Sequence, residues 1–533
     1  MKKIIFILVA CLSFASCEKF LAESPKTFVS PENYFTTEDQ VGNAVWACYE
    51  KMMQSDCFGN IYPLIAEVLP AFKPSSSNEI CNFTYTATTI NINKLWKSFY
   101  QAIGAANLVI DKVEKVSINE EAKNCFLGEA LFVRALCYFY MVQLWGDIPI
   151  SLGMAANIDD LVSPRSSTAE VYAQIVEDLK RAEQLLPVEN PYDAGRAKKI
   201  SAAGLLGKVY CTMAGYPLND TSKWELAKEQ LLTIVDQSNP SKSTAAYKSA
   251  LQANFQDLWY DMSSHTRNDE NVVRHKAVEN GVESVFEINY TGVVGYIGTG
   301  YCNFPNTLAY KCNGKFSNWI FNYTRAYEPV EEYEKVFVPA DPRYWCCIAR
   351  NGDQGPDIPV DFYQIKFPRT SVTKDQAFDN NYPILRYSDL VLLLAESENE
   401  INGPTELAKS CVNAVRARAR NSRAYGNVKP ENAVDTFTVP DGTFPADLTD
   451  AECADKETLR KWIHHERRVE FILEGGITWY DIVRWHDLKN LIDLQNKFDD
   501  TLFREYHEYS YLLPIPWEQI QATNMVLTQN PGY

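Results

Sequence analysis

Apolar side chains in residues 457–488, ETLRKWIHHERRVEFILEGGITWYDIVRWHDL, recur at helical spacing. Leu459, Trp462, Ile463, Val469, Ile472 and Leu473 fall three, four or seven apart and place one apolar face on a helix. Arg467 and Glu470, three apart on the other face, are spaced to pair. Gly475-Gly476 predicts the helix end, because glycine takes a left-handed cap without steric cost. A second short helix carries Trp479, Tyr480, Ile482, Val483 and Trp485, with Asp481 and Arg484 spaced to pair. Charges and large rings this dense predict a buried, ion-paired scaffold.

Elsewhere the same periodicity comes in pairs. The run 94–116 pairs with 39–53, which Thr36 or Thr37 caps, and 122–145 pairs with 168–186. The run 196–214 pairs with 224–235 across a turn containing Pro217 and Asp220, and 384–401 with 405–420 across Asn402-Gly403-Pro404. Four such units predict a mostly α fold, a tetratricopeptide-like helix-pair scaffold, although their spacing is not a regular 34 residues. Ala135 to Val142 is apolar but bounded by Arg134 and Gln143, so it reads as a core helix and not a membrane span.

Two stretches lose the period. Residues 70–93, PAFKPSSSNEICNFTYTATTININ, form a polar insertion in which Phe72, Asn78, Phe83 and Tyr85 stand among Ser, Thr and Asn. Long loops inside compact domains are usually functional or mobile. Residues 245–382 are loop-rich, with a turn at Asn280-Gly281 leading into a strand over 283–290. Glycine-rich loops then carry Tyr296, Tyr301, Phe304, Trp319 and Tyr323, where rings have less core to fill. Another loop spans 440–455, and two prolines around Ile515 shape the closing stretch.

Composition changes this picture modestly. Phe, Trp and Tyr make up 13% of the chain; such rings serve either a core or a surface that stacks on sugar or peptide. A formal charge of −17 argues against nucleic acid or anionic membrane surfaces as partners. Lys2-Lys3, the apolar run from Ile4 and the small pair Ala15-Ser16 before Cys17 read as a targeting segment. Residues 1–16 therefore read as a signal peptide, and Cys17 as a lipobox cysteine despite Phe14 where leucine is usual; without lipidation the chain reads as a plain secreted protein. Several of the remaining cysteines sit in apolar helical runs as small hydrophobes, and no CxxC pair occurs.

Familiar chemistry is poorly matched. His465-Glu466 starts like HExxH, but Val469 stands where the second histidine belongs, and His464 and His465 diverge by about 100° on a helix. No metal is assigned there. Asp353, Asp357 and Asp361 could hold calcium but lack the spacing of a calcium loop. The glycines after Tyr290 make no dinucleotide loop, since Asn303 takes the third glycine's place. A glycoside hydrolase needs two carboxylates roughly 5–9.5 Å apart across a cleft. The pairs Glu396/Glu400 and Glu466/Glu470 lie in stretches that read as scaffold, and there is no GxSxG elbow. No catalytic residue and no cofactor is assigned.

Residues 466–485, ERRVEFILEGGITWYDIVRW, resemble the C-terminal signature of the SusD/RagB family, outer-membrane nutrient-binding lipoproteins of Bacteroidetes. Further matches run in the family's order. They are the lipobox and tether, GEALFVRALCYFYMVQLWGDIPI (128–150), GRAKKISAAGLLGKVYCTMAG (195–215), ILRYSDLVLLLAESENE (384–400) and the ending QNPGY (529–533). The resemblance implies a helical N-terminal region over 17–240 and a C-terminal region over 245–533. The latter divides into a ligand-facing part (245–382), a helical scaffold (384–488) and a tail (489–533). It also implies a cell-surface lipoprotein of the outer membrane that binds a glycan or oligosaccharide and hands it to a SusC-like TonB-dependent transporter. Peptides and glycoprotein glycans are the alternative cargoes. The insertion at 70–93 corresponds to a region that lines the family's ligand site. By loop position and chemistry, the candidate ligand-binding residues are Phe72, Asn78, Phe83, Tyr85, Tyr296, Tyr301, Phe304, Trp319 and Tyr323.

Overall fold

The computed structural model describes residues 34–67, 79–80, 83–153, 162–259, 278–290, 381–421, 444–498 and 504–533, with short pieces at 315–316, 341–343, 348–350 and 362–364. The expected signal peptide (residues 1–16) and Cys17 lie outside these residues, as do Asp353, Asp357 and Asp361.

The first helix, α1 (Glu38–Met53), starts where Thr37 and Gln40 exchange side-chain and backbone hydrogen bonds, which satisfies two otherwise orphaned N–H groups. A short α2 (Ile61–Ala66) follows. Next come α3 (Ile90–Val113), α4 (Glu120–Trp145), α5 (Thr168–Leu185), α6 (Lys199–Ala214) and α7 (Lys223–Ile234). Helices α8 (Tyr387–Asn402) and α9 (Glu406–Asn421) form the next pair. The described chain then continues with α10 (Lys456–Glu470), α11 (Ile477–Arg484), α12 (Leu488–Phe498) and α13 (Trp517–Ala522).

From α3 to α9 each helix packs on its predecessor; α1 lies against α3, and α10 against α8. The four expected pairs, α1/α3, α4/α5, α6/α7 and α8/α9, are all present. Pairing is close at Gly207 of α6, where an added Cβ would come 2.8 Å from Leu231 of α7. Helix α4 is long and apolar enough to cross a membrane, but it is buried in the middle of this array. It is a core helix, as its bounding polar residues predict. The seven described cysteines are free thiols, six of them buried.

Strand β1 (Ser284–Ile288) confirms the predicted strand. Short strands β2 (Lys315–Phe316), β3 (Ile348–Arg350) and β4 (Phe362–Gln364) form a separate antiparallel sheet in the order β2-β4-β3. Strand β5 (Tyr382–Arg386) pairs antiparallel with β1, Phe286 opposite Leu385. This corrects the helix expected from Ile384: residues 384–386 are strand, and α8 begins at Tyr387. Pro383 disfavours helix in the residue before it, and β1 supplies the hydrogen-bond partner that a short apolar run needs to extend.

The end of α10 is a second correction. The helix stops at Glu470, and Leu473, Gly475 and Gly476 all carry positive φ, so the glycines follow the stop and do not make it. They let the chain cross α2 closely. The Gly476 N–H donates to Glu67 Oε1 at 2.8 Å, and a Cβ at Gly476 would stand 2.8 Å from both Ala66 Cβ and Tyr62 Oη.

Candidate functional site

Helix α10 presents its charged face inward, and the arginines it meets come from distant parts of the chain. Arg343 donates to Glu466 at 2.5 Å and to Glu470 at 3.1 Å, and holds Asp341 at 2.7 Å. Arg416 takes the other Glu466 oxygen at 2.8 Å. Arg386 at the end of β5 clasps Glu474 at 2.6 and 2.9 Å and reaches Glu470 at 3.0 Å and Glu283. Arg418 of α9 bridges Glu283 and Glu470. Burial pushes Glu470 up, but Arg418, Arg386 and Arg343 outweigh it and hold the carboxyl at about 2.

A second cluster joins α6, α8 and α11. Arg467 is fully buried and donates to Asp389 at 2.8 Å and to Asp481 at 2.8 and 3.2 Å, while Lys208 takes the other Asp389 oxygen at 2.9 Å. Arg484 donates to Asp481 at 2.9 Å, the expected pair, and forks onto Glu396 at 2.7 and 2.6 Å. The predicted Arg467–Glu470 pair does not form, because each residue is satisfied by partners on other elements. His464 stacks on Trp485 at 3.5 Å and points to Glu396.

These contacts decide how the carboxylate pairs can be used. Glu396 is held by Arg484, Glu400 by Arg460 and Lys456, and Glu466 and Glu470 by the arginines above. All four sit in ion pairs rather than facing each other across a cleft. Among the described residues no group of three or more His, Cys, Asp or Glu side chains is placed to hold a metal ion. The partners Arg343, Arg386, Arg416, Arg418, Glu283 and Lys208 carry no local signal in the sequence, because each meets its charged partners in these two clusters from a distant part of the chain; among their ion pairs only Arg343–Asp341 is local.

Of the candidate ligand residues, Phe83 and Tyr85 are described; Phe72, Asn78, Tyr296, Tyr301, Phe304, Trp319 and Tyr323 lie outside the described residues. Phe83 is half-buried with a left-handed φ of 57°. Its ring is 6.2 Å from Trp479 and lies under the Arg504 guanidinium at 5.8 Å. Tyr85 is only 4% exposed and stacks on the C-terminal Tyr533 at 6.2 Å, so its ring supports its neighbours from below. The tail secures this corner. Gln529 exchanges hydrogen bonds with Ile515 at 2.7 and 2.8 Å, and Asn530 donates to the Trp145 and Leu513 carbonyls. The family-like ending thus ties the insertion to the end of α4.

The described helix pairs define a tetratricopeptide-type helical protein. Comparison with known proteins narrows the class. Residues 359–533 match the family model described as "SusD family", and residues 19–211 match a second described as "Starch-binding associating with outer membrane". The chain belongs to the SusD/RagB family. It is 24% identical to SusD-like protein P25 of Formosa agariphila, with 99% of this chain and 98% of that protein covered. The fold is similar to that of a SusD homolog from Bacteroides thetaiotaomicron, at TM-score 0.72 and 21% identity over 94% of this chain and 98% of that one. It is also similar to a structure titled "Laminarin binding SusD-like protein", at TM-score 0.65 and 21% identity over 94% of this chain and all of that one.

Proposed function

We propose that this protein is a cell-surface lipoprotein of the outer membrane, anchored through Cys17, that captures a glycan or oligosaccharide. It passes the cargo to a SusC-like TonB-dependent transporter without chemical change. The observation that carries this reading is the family match along the chain, whose N-terminal model is described by starch binding and the outer membrane. The laminarin-binding protein of similar fold supports a glucan-type cargo. The engagement of Glu396, Glu400, Glu466 and Glu470 in ion pairs supports binding over hydrolysis.

In this reading Phe72, Asn78, Phe83, Tyr296, Tyr301, Phe304, Trp319 and Tyr323 contribute ring faces and hydrogen bonds, and Tyr85 buttresses Phe83. One stacked ring contributes about 0.5–1.5 kcal/mol beyond burial, so affinity comes from several acting together. The anchor and partner are tested by isolating membranes from cells making tagged protein. The full chain is expected in the outer membrane and to co-purify with a large β-barrel transporter, while Cys17→Ala is released from the membrane. Equal membrane retention of Cys17→Ala would contradict the anchor, and isolation without any barrel would contradict the delivery step.

A further inference from the structure

We infer that Trp517 is a glycan-contacting aromatic, a binding residue on the C-terminal helix that extends the proposed ligand surface beyond the loops. The inference rests on the glycan-binding reading above. Trp517 opens α13 and is 42% exposed, the one exposed tryptophan among those described. An exposed indole offers an apolar body and a polar edge, a combination favoured where a ring is used for binding.

Its position is fixed from two sides. The Trp517 N–H donates to the Ala87 carbonyl at 2.8 Å, in the described end of the 70–93 insertion. The next residue, Glu518, accepts from Asn93 at 2.5 Å and pairs with Lys97 at 2.8 Å, and Gln519 donates to the Asn93 side-chain oxygen at 2.9 Å. These bonds hold the start of α13 beside the first turn of α3, where Ile90 is 65% exposed. The ring is therefore carried by rigid, hydrogen-bonded backbone, which lowers the ordering cost of binding.

The surroundings select the occupant. Thr86 and Thr88 present exposed hydroxyls, and Glu518 an exposed carboxylate whose charge Lys97 offsets. An apolar ring face bordered by hydroxyls and a mutually compensated ion pair suits a polyhydroxylated sugar, whose C–H face stacks while its hydroxyls reach these groups. A protein partner is less well matched. Even with Met525 and Val526 on the turn after α13, four apolar side chains fall short of the roughly 800 Å² per partner that a stable interface buries.

The test uses the protein without residues 1–17 and a polysaccharide panel that includes laminarin and soluble starch. Wild type, Trp517→Ala and Trp517→Phe are titrated against whichever glycans saturate, and hydroxyl-radical footprinting reads oxidation at Trp517 with and without glycan. The expected result is weakening by about three- to tenfold in Trp517→Ala, partial recovery in Trp517→Phe, an unchanged melting temperature and protection of Trp517 by glycan. If wild type binds glycan and Trp517→Ala binds equally, with no protection, this inference falls and the proposed function stands. If wild type binds no glycan, both fall. Unchanged glycan affinity with lost transporter co-purification would make the patch a protein dock and overturn the inference.

Discussion

Glu470→Gln is expected to destabilise the protein by about 3–5 kcal/mol, the usual loss when one partner of a buried charge cluster is removed. Glu470 accepts from Arg343 and Arg386 at 3.1 and 3.0 Å and from Arg418, and it is fully buried. Glutamine keeps the shape but turns an –NH2 donor toward guanidinium donors, so at least one buried N–H loses its acceptor. The pH dependence gives an independent reading. The Glu470 carboxyl is lowered from 4.5 to about 2, so it contributes stability above pH 4.5 that is lost as pH falls toward 2. At about 1.4 kcal/mol per pH unit the contribution is about 3 kcal/mol, in line with the substitution. Denaturant unfolding at pH 7 checks the magnitude, with Glu457→Gln on the exposed side of the same helix as control. Glu457 pairs with Arg460 at the surface, where an ion pair is worth about 0–1 kcal/mol. Equal effects at the two positions would remove the centre from its structural role.

Glu287→Gln is expected to act in the opposite sense, stabilising the protein by up to about 3 kcal/mol at pH 8. Glu287 lies on β1 opposite Pro383, buried, and takes hydrogen bonds from the Asn280 N–H and the Asn381 amide. Among the described residues no arginine or lysine pairs with it. Burial, with Glu279 nearby adding to it, raises its carboxyl to about 7 despite those two bonds. The folded state therefore prefers the neutral form. Below pH 4.5 the group is protonated in both states and costs nothing; between 4.5 and 7 the unfolded chain releases its proton first, and stability falls as pH rises. Glutamine presents the same acceptor oxygen without the charge. Melting temperatures of wild type and Glu287→Gln should coincide near pH 4 and separate by pH 8, the variant higher. A variant that melts lower at pH 8 would mean that Glu287 is held as a carboxylate.

The contrast between these glutamates shows what sequence could and could not reveal. Helix pairs such as α4/α5 and α6/α7 were legible because their apolar spacing and turn residues are local. The dense charge around Arg467 and Glu470 was legible as buried. Its pairing was not, because Arg343 meets Glu466 across 123 residues and Arg386 meets Glu283 across 103. A spacing of three says that two side chains can meet, and better partners from other elements won. The start of α8 failed for a related reason: a short apolar run at Ile384 reads equally as strand or helix until its neighbour β1 is placed. In the candidate site, composition alone did not separate a ring that packs from a ring that binds. Tyr85 lies beneath Tyr533, whereas Trp517, in a stretch that reads as tail, faces solvent.

The most direct measurement is calorimetric titration of the protein without residues 1–17 against polysaccharides and peptides, with reducing ends followed in the same samples. Saturable binding of a glycan with no new reducing ends is the predicted result. New ends would make the protein a hydrolase, and binding confined to peptides would contradict the glycan reading.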